Sequence, residues 1–172
     1  MNSGDKSGGV LVIAYGNPLR SDDGVAWQAA EEIRTTFASR IEVVCRHQLT
    51  PELAENASRA DMVIFVDATA QGNAGEVVCR SVTAQSREAR FSHHLTPSQV
   101  LALCDRWYGV SPPAFVISIS GECFDHGDGL SAAARSGLRQ SVRVVSDLIS
   151  ALQPLDCTAI GSVQLRISEG RT

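Results

Sequence analysis

Two short runs constrain the fold more than anything else in the sequence: Val10-Leu11-Val12-Ile13-Ala14 and Met62-Val63-Ile64-Phe65-Val66, neither of which contains a polar residue. A strand that buries one face alternates apolar and polar side chains. A strand that is apolar at every position must be covered on both faces. The runs therefore read as inner strands of a sheet sandwiched between other layers. The first ends in the turn chemistry of Tyr15-Gly16-Asn17-Pro18, the second at Asp67.

The segments between them carry helical spacing. Val25, Ala29, Ile33 and Phe37 mark a helix that Asp22 or Asp23 can cap. Thr50-Pro51-Glu52 opens a short helix, with Thr50 as its cap and Pro51 in the first turn. Thr96-Pro97 starts another, through Leu103 to Trp107, and Ser131 to about Leu152 forms a long last helix. Ile41–Cys45 and Ala114–Ile119 read as further strands. Glu76–Val82, of mixed polarity, reads as an edge strand. It follows Asp67 too closely for a parallel crossover, so it is expected to run antiparallel. Strands alternating with amphipathic helices imply a layered α/β domain with a mainly parallel sheet.

The 172 residues suit one domain. Residues 1–9 are polar and glycine-rich and are expected to be flexible. Residues 10–152 hold the domain, and 153–172 form a polar, loosely ordered tail. The net charge of −4 gives no electrostatic footprint for nucleic acid, and no basic run suggests a membrane surface. No apolar window is long enough to span a bilayer, and the N-terminus lacks the pattern of a signal peptide. The five cysteines (Cys45, Cys79, Cys104, Cys123 and Cys157) include no CxxC pair. They read as reduced thiols of a cytoplasmic protein, with Cys45, Cys79 and Cys123 in apolar, strand-like runs of the core.

In an open parallel sheet, sites form outside the carboxyl ends of the strands. The groups that follow the apolar runs are Asn17, Asp22 and Asp23, then His47, then Asp67, then Glu122, Asp125, His126 and Asp128. His93 and His94 precede the third helix. Carboxylates and imidazoles thus gather on one edge, a donor set suited to a borderline metal or to acid–base work. Of the adjacent pair Asp22 and Asp23, one is expected to cap the helix and the other to project into the cleft. Asp67 ends a buried strand, where a charge needs a partner. Of His93 and His94, adjacent and diverging, at most one serves as a ligand. No GxGxxG, phosphate loop, GxSxG elbow or HExxH helix is present, which argues against a nucleotide enzyme, a serine hydrolase or a zincin.

The segment Gly16-Asn17-Pro18-Leu19-Arg20-Ser21-Asp22-Asp23-Gly24-Val25 resembles the N-terminal signature of the hydrogenase maturation endopeptidases. His47-Gln48-Leu49-Thr50-Pro51-Glu52, Val66-Asp67-Ala68, Ser92-His93-His94-Leu95-Thr96-Pro97 and Gly127-Asp128-Gly129-Leu130-Ser131 are similar to that family in order and spacing. The resemblance spans Val10 to Leu152. It implies a single three-layer α/β/α domain with a twisted, mixed but mostly parallel five-stranded sheet.

The resemblance also implies an endopeptidase that removes the C-terminal extension of a nickel–iron hydrogenase large-subunit precursor once nickel is inserted. The residues it associates with nickel recognition fall on Asp23, Asp67 and His93. The first is Glu in some members, and His93 stands seven residues before the apolar helix position Val100. His94 is the reserve ligand, and His47, Glu122 and Asn17 are second-rank residues that line the cleft or orient ligands. Asp23 and Asp67 are also the candidate catalytic carboxylates: one acts as base for water if the metal only docks the precursor, whereas otherwise the metal itself polarises the carbonyl or activates water. The nickel would arrive with the substrate, no nucleotide would be needed, and the protein would act as a cytoplasmic monomer. The rival reading is a non-catalytic metal-handling or assembly factor that binds the same large subunit.

Overall fold

The computed structural model describes residues 9–37, 41–85 and 95–151. Five strands form one sheet: β1 (Val10–Tyr15), β2 (Ile41–Arg46), β3 (Met62–Thr69), β4 (Val77–Val82) and β5 (Ala114–Ser120). Their order is β2-β1-β3-β5-β4, with every pairing parallel except the antiparallel edge pair β4–β5. Four helices cover it: α1 (Val25–Phe37), α2 (Leu53–Arg59), α3 (Pro97–Tyr108) and α4 (Ala132–Ala151). This is the mixed five-stranded α/β architecture expected.

The unbroken apolar runs are explained by two cores. Val10, Val12 and Ala14 of β1, with Met62, Ile64 and Val66 of β3, face α1 and α4. Leu11 and Ile13, with Val63 and Phe65, face α2 and α3. Successive side chains point to opposite faces, so strands with helices on both sides must be apolar throughout. α4 approaches the sheet closely through Gly137, where a Cβ would lie 2.6 Å from Ile119 Cγ2. α3 begins where its sequence predicts, at Thr96-Pro97; there Thr96 and Gln99 form a reciprocal capping box, and Gly109 in the left-handed region (φ 67°) ends the helix.

Four local expectations are corrected. Asp67 does not end its strand; β3 continues to Thr69, because β5 offers parallel partners as far as Ser120. Neither Asp22 nor Asp23 caps α1; both lie in a 3-10 turn, Ser21–Gly24, whose cap position Arg20 makes no side-chain cap bond. α2 starts at Leu53 with the cap position on Glu52, again without a side-chain cap, and backbone bonds to the carbonyls of Thr50 and Pro51 close its first turn. Cys123 is exposed, since β5 ends before it, whereas Cys104 is buried and Cys45 and Cys79 are half-buried.

Candidate active site

The carboxyl ends of β1 and β3 bring Tyr15 and Asp67 together. Leu11, Ile13 and Tyr15 share the β1 face that looks toward α2 and α3, and Phe65 and Asp67 share it on β3. The Tyr15 hydroxyl donates to Asp67 Oδ2 at 2.9 Å. Asp67 Oδ1 is also buried but has no hydrogen-bond partner among the described residues. Burial, the largest influence, raises the Asp67 pKa above the ordinary aspartate value, and the nearby Asp23 adds to the rise. The Ser118 hydroxyl, level with Asp67 on β5, opposes it most, followed by Tyr15 and Arg80, without cancelling it; Ser118 stands near the carboxylate but makes no hydrogen bond of ordinary geometry to Oδ1. Burial first, and then the charge and hydrogen bond of Asp67, push the Tyr15 phenol well above its usual range.

Asp23 reaches the same place from the turn after β1. Its Oδ2 accepts the backbone N–H of Asn17 at 2.7 Å. The turn is shaped by Gly16, whose φ of 143° favours glycine and where a Cβ would lie 2.4 Å from the Asp23 carbonyl oxygen. Asn17 uses its own side chain within the turn, Oδ1 accepting from the Leu19 N–H at 3.0 Å. Trp27 Nε1 donates to the Gly16 carbonyl at 3.0 Å and closes the turn onto α1. The His47 ring sits against Trp27 with centroids 5.4 Å apart. Asp23, His47, Tyr15, Asp67 and Leu95 line one hollow of about 240 Å³.

Asp22 has a different role from its neighbour. It is fully buried, Oδ2 accepting from the N–H groups of Glu122 and Cys123 at 2.8 and 3.1 Å and Oδ1 from Ser131 at 2.7 Å. Burial works against its charge, but these three backbone bonds outweigh it and hold the carboxyl below the ordinary aspartate value. Asp22 therefore ties the loop after β5 and the start of α4 to the turn that carries Asp23. Ser21, at a positive φ of 47°, adds a backbone bond to Gly127 and a hydroxyl bond to the Asp125 carbonyl.

Of the residues singled out in the sequence, the structure brings Asp23, Asp67 and His47 together, with Asn17 holding Asp23. Glu122 is exposed, and it is the Glu122 backbone N–H that is engaged. His93 and His94 lie outside the described residues. Among the described residues, no cluster of three or more His, Cys, Asp or Glu side chains is placed to hold a metal ion. Sequence reasoning missed Tyr15 and Arg80. Tyr15 had a signal: it continues the inward parity of Leu11 and Ile13. Arg80, which flanks Asp67 across a neighbouring groove, was hidden in a strand of mixed polarity.

No protein-family model matches the chain, and no curated protein matches it in sequence. Solved structures do match it in fold. The hydrogenase maturating endopeptidase HybD from E. coli superposes with a TM-score of 0.68 at 17% identity, over 83% of this chain and 93% of that one. The [NiFe] hydrogenase maturation protease HycI from Thermococcus kodakarensis KOD1 gives 0.66 at 18% identity, over 86% and 95%. An uncharacterized protein from Wolinella succinogenes gives 0.57 at 22% identity, over 85% and 99%. The chain thus has the fold of the hydrogenase maturation endopeptidases.

Proposed function

We propose that this protein is a hydrogenase maturation endopeptidase that removes the C-terminal extension of a nickel–iron hydrogenase large-subunit precursor after nickel insertion. The observation that carries the reading is the paired arrangement of Asp23 and Asp67. Each carboxylate has one oxygen fixed, by the Asn17 N–H and the Tyr15 hydroxyl respectively. Each keeps a second oxygen that no described residue takes, and that of Asp67 is buried. A buried carboxylate oxygen without a partner is costly, and such sites are kept where a ligand supplies the missing partner. Oxygen donors held in this way, with His93 as a nitrogen donor, suit a borderline divalent cation.

In this reading the nickel belongs to the substrate, and its presence marks a precursor that is ready for processing. Asp23 and Asp67 recognise the metal, which positions the scissile peptide beside them. When bound, the metal supplies charge that favours attack on the peptide carbonyl. The carboxylate of Asp67, made a stronger base than an ordinary aspartate by its burial, is suited to take a proton from attacking water. Tyr15 holds that carboxylate in place. Asp22 fixes the turn on which Asp23 rides. The protein is proposed to act as a cytoplasmic monomer, and no helix among its described residues is long and apolar enough to cross a membrane.

The test is mass spectrometry of a nickel-loaded large-subunit precursor before and after incubation with the protein, beside a nickel-free precursor and an Asp67→Ala variant. Loss of a defined C-terminal peptide only with nickel and intact Asp67 is the expected result. An unchanged mass with tight binding of the nickel-loaded precursor would instead make the protein a non-catalytic assembly factor.

A further inference from the structure

A second groove opens from Asp67 on the side away from Asp23. It encloses about 700 Å³ between β4 and the N-terminal turn of α3, and Tyr15 and Asp67 border both hollows. Arg80, Ser81 and Val82 all line it. Neighbouring residues of a strand point to opposite faces, so the groove wraps around the outer edge of β4. β4 is the last strand in the sheet order, and its outer edge pairs with no other strand among the described residues. Hydroxyls and amides, including Thr83, Ser98 and Gln99, make up most of the remaining lining, with Pro97 and Val116 as apolar members; the charged lining residues are Asp67 and Arg80.

We infer that this groove is the subsite for the extension itself, held as an extended strand along β4, with Arg80 pairing with an acidic side chain within it. The inference rests on the endopeptidase reading. If the metal-bearing part of the precursor occupies the hollow of Asp23 and His47, the chain beyond the scissile bond at Asp67 leaves through the neighbouring groove. An open strand edge offers main-chain hydrogen bonds to an extended segment whatever its sequence, and a charged side chain adds selectivity. Arg80 is exposed and, among the described residues, forms no ion pair, so within the described groove its guanidinium faces no competing carboxylate at ion-pair distance.

The register places that carboxylate. Asp67 is level with Ser118 of β5, and Arg80 with Val116, on the same face. Arg80 thus stands two residues down and two strands across from Asp67. At about 3.3 Å per residue and about 4.8 Å between strands, the two Cα atoms are roughly 12 Å apart. An extended peptide crosses that distance in three to four residues before it turns along the β4 edge, so the acidic side chain belongs within the first four residues beyond the cleaved bond.

Arg80 is thereby a positioning residue for the substrate, and its test is a split between KM and kcat. Cleavage of the nickel-loaded precursor is followed by mass spectrometry for wild type, Arg80→Gln and Arg80→Glu. Each is given the native extension and one whose acidic residues are replaced by lysine. Arg80→Gln should raise KM about three- to fivefold and Arg80→Glu about tenfold on the native extension. Loss of the Arg80 charge also raises the Asp67 pKa, so kcat is compared on the plateau of each pH profile, where it should stay within about twofold. The lysine extension should reverse the order of wild type and Arg80→Glu. An unchanged KM in both variants overturns the subsite while leaving the endopeptidase intact, as does a fall in kcat alone, which would place Arg80 at the chemistry. Failure of wild type to cleave any nickel-loaded precursor overturns the endopeptidase reading and the subsite with it. The melting temperature of each variant is measured alongside, and Arg80→Gln decides the matter if Arg80→Glu does not fold.

Discussion

Asp67→Asn should make the protein more stable while abolishing its proposed activity. In the wild type, one carboxylate oxygen accepts from Tyr15 and the other is buried without a partner among the described residues. At neutral pH that second oxygen carries the desolvation cost of an unsatisfied buried acceptor, on the order of 1–3 kcal/mol. Asparagine keeps an acceptor for the Tyr15 hydroxyl and replaces the charged oxygen with a neutral NH2 of similar size, for which the Ser118 hydroxyl on β5 is the nearby acceptor. A net gain of about 1–2 kcal/mol is expected, which for a chain of this length raises the melting temperature by about 2–8 °C. The pH dependence separates this cause from others. The folded-state pKa of Asp67 is raised, so folding favours its protonated form. The wild type therefore bears no penalty below the unfolded aspartate value of about 3.9, and bears all of it once pH passes the raised folded-state value. Urea denaturation of both proteins at about pH 3.5, below the unfolded aspartate value, and at about pH 8 should show the larger difference at the higher pH. Precursor cleavage by the variant should fall about a hundredfold or more. A variant less stable than wild type by the same amount at both pH values would refute the reasoning. It would make Asp67 a satisfied structural carboxylate rather than one kept at a cost for its function.

Asp22 should show the opposite signature. Its pKa is depressed, so its stabilisation is present at neutral pH and is lost as pH falls through the folded-state value. Asp22→Ala orphans the N–H groups of Glu122, Cys123 and Ser131 and should cost about 3–5 kcal/mol in chemical denaturation, with its deficit shrinking in acid. Tyr15→Phe removes a donor that favours ionised Asp67, so the acid limb of the pH–cleavage profile should move to higher pH; an unmoved limb would mean that Asp67 does not have to be ionised for cleavage. Gly137→Ala drives a methyl group into Ile119 Cγ2 and should cost about 1–3 kcal/mol in thermal denaturation, while cleavage by the folded fraction stays at the wild-type rate because α4 covers the face opposite the cleft.

The sequence by itself determined the layering. Val10–Ala14 and Met62–Val66 are apolar at every position, and a strand with that pattern has to be covered on both faces; α1 and α4 cover one, α2 and α3 the other. The loop after β3, too short for a crossover, likewise set β4 antiparallel. The start of α3 at Thr96-Pro97 was legible because its signals lie within one turn of chain. Asp67, and one of the pair Asp22 and Asp23, were legible as cleft residues because strand ends in such a sheet converge on one edge. What the tertiary structure decided is which polar group meets which. Asp22 and Asp23 are neighbours of the same type, and nothing local tells that one is buried under a loop a hundred residues away while the other faces the cleft. The tie between Tyr15 and Asp67 spans 52 residues and exists because β1 and β3 pair in one register. Arg80 joins the site only because β4 doubles back beside β5. Periodicity is a property of neighbouring residues and can be read along the chain, whereas hydrogen-bond partners depend on register and packing between distant segments and exist only once the chain has folded.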